Sequence, residues 1–107
     1  MTDTVGLALT TAAQDVFTVP AGKVRYITAI HLANVDGTNA VDATVRWTDA
    51  SAANAVFNLV FNLTVAAKDA RPAMVGPIAL AAGDKLQALA SANGDAELTV
   101  TYYDEDA

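Results

Sequence analysis

Apolar and polar residues alternate along most of this chain, and a two-residue period predicts β-strands. Between Lys23 and Asn34 (KVRYITAIHLAN) it places Val24, Tyr26, Thr28, Ile30 and Leu32 on one face. Lys23, Arg25, Ile27, Ala29 and His31 fall on the other. Val56 to Val65 (VFNLVFNLTV) is the most regular stretch: Phe57, Leu59, Phe61, Leu63 and Val65 line one face. A helix would scatter these residues around its circumference. In Ala40–Asp49, Val41, Ala43, Val45 and Trp47 oppose Asp42, Thr44, Arg46 and Thr48. In Ala96–Tyr103, Leu98, Val100 and Tyr102 oppose Glu97, Thr99, Thr101 and Tyr103.

Thr4–Thr10, Asp15–Val19 and Lys85–Ala90 read as shorter strands, and Pro72–Val75 as a short edge strand, where proline is tolerated. Ile78 and Leu80 anchor a turn. Pro20-Ala21-Gly22, Gly76-Pro77 and Ala81–Asp84 break the chain. VDGTN (Val35–Asn39) and SANGD (Ser91–Asp95), the latter with its Asn-Gly pair, predict hairpins.

Seven or eight short strands separated by turns, with no helix of useful length and no repeat, predict an all-β fold: a single antiparallel β-sandwich, jelly-roll-like. The predicted core is Val24, Tyr26, Ile30, Leu32, Val41, Val45, Trp47, Phe57, Leu59, Phe61, Leu63, Leu86, Leu98 and Val100. Residues 1–3 and 104–107 are expected to be flexible tails.

Composition narrows the function. A chain of 107 residues can bury one continuous core. It contains no Cys, so it has neither a disulfide framework nor a thiolate metal site. The start has no basic segment followed by an apolar run, so no signal peptide is expected. No stretch approaches the roughly 20 apolar residues of a membrane helix. The net charge of −6 and the scatter of Lys23, Arg25, Arg46, Lys68, Arg71 and Lys85 argue against nucleic acid. Neither a nucleic-acid nor a membrane partner is expected.

No motif carries catalytic chemistry, so no enzyme activity and no cofactor are expected. His31 is the only His, and the pattern supplies it neither a nucleophile nor a carboxylate. Asp36, Asp42, Asp49, Asp84 and Asp95 lie at turns or strand ends without a calcium-loop pattern, so turn capping is the expected role. The glycine turns AGK and AGD lead into strands, not helices, and so do not resemble phosphate loops.

A partner surface is the remaining candidate. Opposite the predicted core face, Lys23–Asn34 carries Ile27, Ala29, His31 and Ala33, and Val56–Val65 carries Val56 and Val60. A solvated sheet face is ordinarily more polar than this. Tyr103 is expected to be an exposed aromatic beside them. The alternative is that terminal segments fold over this face within one chain.

VPAGKVRYITAIHLAN (Val19–Asn34), LAAGDKLQALAS (Leu80–Ser91) and AELTVTYYDE (Ala96–Glu105) together resemble small β-sandwich structural proteins of tailed bacteriophages. The resemblance spans most of the chain from Val16 onward. It implies a virion component assembled in a bacterial cytoplasm: a capsid decoration or cement protein, or another head or tail accessory protein. The implied partners are major capsid or head–tail proteins and further copies of the chain, with a trimer favoured by analogy. A carbohydrate-binding module of a fibre or spike shares the architecture and is the alternative.

Overall fold

The strands pair from the outside of the chain inward. The computed structural model describes residues 2–74 and 76–107. Among them are β1 (Thr2–Ala8), β2 (Gln14–Thr18), β3 (Lys23–Asn34), β4 (Val41–Asp49), β5 (Ala55–Val65), β6 (Ala70–Pro72), β7 (Ile78–Leu80), β8 (Lys85–Ala90) and β9 (Ala96–Asp106). β1 pairs with β9, β2 with β8, β3 with β6 and β7, and β4 with β5, all antiparallel. This nesting is a long hairpin rolled up on itself. Pairing of β3 with β9 and of β4 with β8 completes two sheets, ordered β1-β9-β3-β6 with β7 also on β3, and β2-β8-β4-β5. That is a jelly roll, one of the sandwich forms that limit exposed sheet edges.

The core lies between the inner faces. Ile27, Ile30 and Leu32 of β3 and Leu98 and Val100 of β9 meet Val41, Ala43 and Val45 of β4 and Leu86 and Ala88 of β8, all buried. Fully burying each Val, Leu or Ile contributes about 1.5–3 kcal/mol. Alternation holds in β8 and β9, where the predicted core residues Leu86, Leu98 and Val100 are inside.

It fails where strands bulge. In β3, Ile27 pairs with Tyr102 but Ala29 pairs with Thr101, so Thr28 is an extra residue. A bulge exchanges the faces of everything before it. Arg25 and Ile27 therefore point inward with Ile30 and Leu32. Val24 and Tyr26, expected in the core, lie half-buried on the outer face, and Thr28 is exposed.

β5 slips twice against β4: Ala43 faces Leu63, Val45 faces Val60, and Arg46 faces Asn58. The Phe57–Val65 face predicted as continuous is thereby broken. Val65 is buried and Leu59, Val60 and Leu63 are half-buried, but Phe57 is 49% and Phe61 69% exposed. Asn62 takes φ +49° in the upper bulge, a left-handed conformation that Asn tolerates. Its backbone N–H donates to Thr44 Oγ1 at 3.0 Å, and that hydroxyl donates to Asn62 Oδ1 at 3.2 Å. Trp47 is half-buried, stacked on Phe57.

The VDGTN and SANGD segments turn the chain but make no hairpins. β3 and β4, and likewise β8 and β9, belong to different sheets. Turn residues dictate that the chain reverses, not which strand it then joins. Both ends are also ordered into strands, contrary to the expected tails: Thr2 and Asp3 pair with Tyr103 and Tyr102, and β9 runs to Asp106. The expected edge strand at Pro72–Val75 starts earlier, as β6, and its Val75 lies outside the described residues.

The β4–β5 connection begins with a 3₁₀ turn at Ala50–Ala52, capped by Asp49 through Ser51 N–H. Buried Asp84 accepts from the N–H groups of Ala50 and Ala81, each at 2.9 Å, tying this turn to the turn before β8. Gly83 beside it has φ +88°, and a Cβ there would sit 3.2 Å from that of Ala50.

Candidate interaction surfaces

The residues expected to form one partner surface separate in space. Ala29, His31 and Ala33 do lie on the outer face of the β1-β9-β3-β6 sheet, and Tyr103 joins them from β9. Tyr26, brought out by the Thr28 bulge, stacks on Tyr103 with ring centroids 5.0 Å apart. Ile27 is not on this surface: its exposure is 0%, because the bulge turns it into the core. Val56 is 48% exposed but belongs to the other sheet, and Val60 points toward the core as the partner of Val45. No single surface holds all seven residues.

What the sequence pattern missed is the edge strand β5. It ends its sheet, with β4 on one side only. Among the described residues, the exposed large hydrophobics are Val56, Phe57 and Phe61, all on β5, and Val35 in the β3–β4 connection. The eleven residues of β5 include no charge and no proline. Natural edges are ordinarily blunted by such residues. Here only the bulges do so. The double slip that pushes Phe61 outward is not encoded in the alternation, although Asn at positions 58 and 62 was a signal of polar positions in the strand.

A second cluster closes one end of the sandwich. Arg25, 7% exposed, donates through Nε and an Nη to both oxygens of Asp104 at 2.6 and 2.8 Å. Its guanidinium lies 4.0 Å from the Tyr102 ring centroid and 4.6 Å from that of Phe17. Lys23 pairs with Asp106 on the same two strands. The hydrogen bond from Arg25 holds the Asp104 carboxyl below the ordinary aspartate range, and Lys23 does the same for Asp106. Burial pushes the Tyr102 phenol up. A shallow concavity of about 300 Å³ here is lined by Asp3, Lys23, Arg25, Tyr102 and Asp104. Its guanidinium is already engaged by Asp104, so the cluster joins strands.

Asp36, Asp49 and Asp84 hold turns. Asp36 accepts from Thr38 N–H at 2.8 Å and Asn39 N–H at 3.3 Å, which lowers its pKa, and Asp49 and Asp84 cap turns as above. Among the described residues no three His, Cys, Asp or Glu side chains gather to hold a metal. The outer face of the β2-β8-β4-β5 sheet is polar and internally bonded, with Arg46 donating to Gln87 and Gln87 to Asp15.

No protein-family model matches the chain, and no curated protein matches it. Solved structures do. A chain of the Bacillus endospore appendages, which form disulfide-linked pili, superposes with a TM-score of 0.58 at 14% identity, covering 99% of this chain and 85% of that one. A chain of the capsid of a Helicobacter pylori bacteriophage also gives 0.58, at 12% identity, covering 100% and 93%. At these identities the likeness is one of fold.

Proposed function

We propose that this chain is a structural protein of a bacteriophage virion, acting by protein–protein binding as a capsid decoration or cement protein or another head or tail accessory protein. The observation that carries the reading is β5: an uncharged edge strand presenting Val56, Phe57 and Phe61 to solvent on a jelly roll of net charge −6. Exposed apolar residues gathered on one element mark a partner surface. The fold likeness to a phage capsid chain and to a pilus chain fits a molecule that works in many copies. The pilus chain belongs to disulfide-linked assemblies, whereas these 107 residues contain no Cys and can form no disulfide.

The carbohydrate-binding alternative needs an aromatic face free to stack on a sugar. Tyr26 and Tyr103 stack on each other, and Trp47 stacks on Phe57 at 5.4 Å. Tyr102 is covered by Arg25. This arrangement favours the protein-binding reading, with no catalysis and no cofactor.

The test is composition. Particles of the phage that encodes the chain, purified through a density gradient, are expected to contain it at a fixed ratio to the major capsid protein. Its absence from intact particles, with free protein in the lysate, would overturn the reading. Chelation by EDTA is expected to leave the melting temperature unchanged. A large drop would reveal a metal site among the loop acids.

A further inference from the structure

We propose that the outer face of the β2-β8-β4-β5 sheet holds a carboxylate site beside β5, filled by an Asp or Glu side chain of the protein to which this chain binds. The proposal rests on the protein-binding reading above and names the chemistry of the partner.

The starting point is a gap in the hydrogen bonding of that face. Thr48 of β4 lies in one row with Val56 of β5 and Lys85 of β8. It is 5% exposed, and its Oγ1 is buried without a hydrogen-bond partner. Thr44, on the same face of the same strand, is equally buried, but its hydroxyl is satisfied twice over by Asn62. Val would fill the position of Thr48 with the same shape and no unpaired group. A buried hydroxyl that the fold itself leaves unpaired destabilises it, and a ligand that completes the bond accounts for its presence. Gln14 Oε1 is the other such atom among the described residues, and it lies on the inner face opposite buried Ala88.

Thr48 opens onto a concavity of about 330 Å³, lined also by Asn54, Val56, Lys85 and Gln87. That is the small end of the range for ligand sites and suits a single side chain.

The lining selects the ligand. Lys85 Nζ has three N–H donors and meets Asp15 only at 3.5 Å. Gln87 is already engaged on both sides, accepting from Arg46 and donating to Asp15. Asn54, exposed at the end of the β4–β5 connection, adds an amide. Lys85 and Arg46 outnumber Asp15 on this face, whereas Asp49 and Asp84 accept from the turn N–H groups of Ser51, Ala50 and Ala81. An ammonium, a hydroxyl and an amide in surplus over free acceptors suit an acceptor-only anion. Val56, 48% exposed, supplies an apolar wall, so the anion is one carried on a methylene stem, as in Asp and Glu. Val56 also belongs to the strand proposed as the contact surface, so a protein seated on β5 can insert such a side chain between Val56 and Lys85.

Sodium acetate, titrated against sodium chloride at equal ionic strength and followed by amide NMR shifts, is the probe. The expected result is saturable shifts confined to Thr48, Asn54, Val56, Lys85 and Gln87, lost in Thr48→Val and in Lys85→Gln. Thr48→Val should melt no lower than wild type, because it removes no bond of the free chain. Binding to purified phage particles should weaken about tenfold in either variant, the loss of one charge-assisted hydrogen bond. Shifts that do not saturate, or a Thr48→Val that melts below wild type, would overturn the site. Saturable acetate binding with particle binding indifferent to both variants would overturn a partner side chain as the occupant and leave a site for a free carboxylate. The β5 surface is tested apart by Phe61→Asp: particle binding lost there but unchanged in Thr48→Val and Lys85→Gln would overturn the carboxylate contact and keep the β5 contact. A wild type that binds no particles would overturn the virion reading, on which the acetate titration does not depend.

Discussion

Two apolar residues with similar sequence patterns have opposite roles. Ile27 has no exposed surface, and Phe61 is 69% exposed. Ile27→Ala should therefore cost about 2–5 kcal/mol in denaturant unfolding. Phe61→Ala should stay within about 1 kcal/mol, as surface substitutions do. The reverse order would mean that the β3 and β5 bulges are misplaced. The Arg25–Asp104 pair makes a second residue-scale prediction. Asp104 and Asp106 titrate below the ordinary aspartate value of 3.8 in the folded chain, because Arg25 and Lys23 hydrogen-bond their ionised forms. Their contribution to stability is complete above that value and is lost as pH falls through the depressed folded values. Asp104→Asn should lower the melting temperature at pH 7, roughly 4–8 °C for each 1 kcal/mol in a domain of this size. The gap to wild type should close as the solution is acidified below 3.8. A gap that persists in acid would assign the loss to packing around Phe17 and Tyr102 instead of charge.

Elements were legible in the sequence where alternation runs uninterrupted, as in β8, β9 and most of β4. They were misread where one residue is inserted. In β3 the pattern before Thr28 and the pattern after it are each regular, but they are out of phase, and a single period drawn through both sends Ile27 out and Tyr26 in. In β5 the apolar alternation is perfect in sequence, yet Asn62 at φ +49° breaks the pleat. Asn62 marks a polar position in VFNLVFNLTV but not a break in the pleat, because the hydroxyl that pins the bulge belongs to Thr44 on the neighbouring strand. The same reasoning explains why Ala29, His31, Ala33 and Tyr103 were placed on a common outer face but Phe57 and Phe61 were not recognised as exposed. The β3 bulge yields a deletion test. Removing Thr28 leaves Ile27 and Ile30 two positions apart, so both still face inward and each keeps its β9 partner. The shortened chain should unfold cooperatively, with a midpoint near wild type. Removing His31 instead forces Ile30 or Leu32 out of the core, and should cost about 2–5 kcal/mol. Equal loss from both deletions would contradict the bulge assignment.

At the scale of the molecule, the jelly roll leaves edges at both sides of each sheet, and those edges differ in kind. The β1, β2 and β6 edges carry charge and the three-residue β7 edge carries none, while β5 is the edge that presents aromatic side chains. The opposite face of the sandwich, with its small residues and stacked Tyr26 and Tyr103, is the competing contact surface. Amide hydrogen exchange of the protein free and bound to purified particles separates the two directly. The account predicts that protection gained on binding concentrates in Ala55–Val65, with β3 and β9 amides unchanged. Protection gained across Tyr26–Ala33 and Thr99–Tyr103, with β5 exchanging as in the free protein, would contradict it.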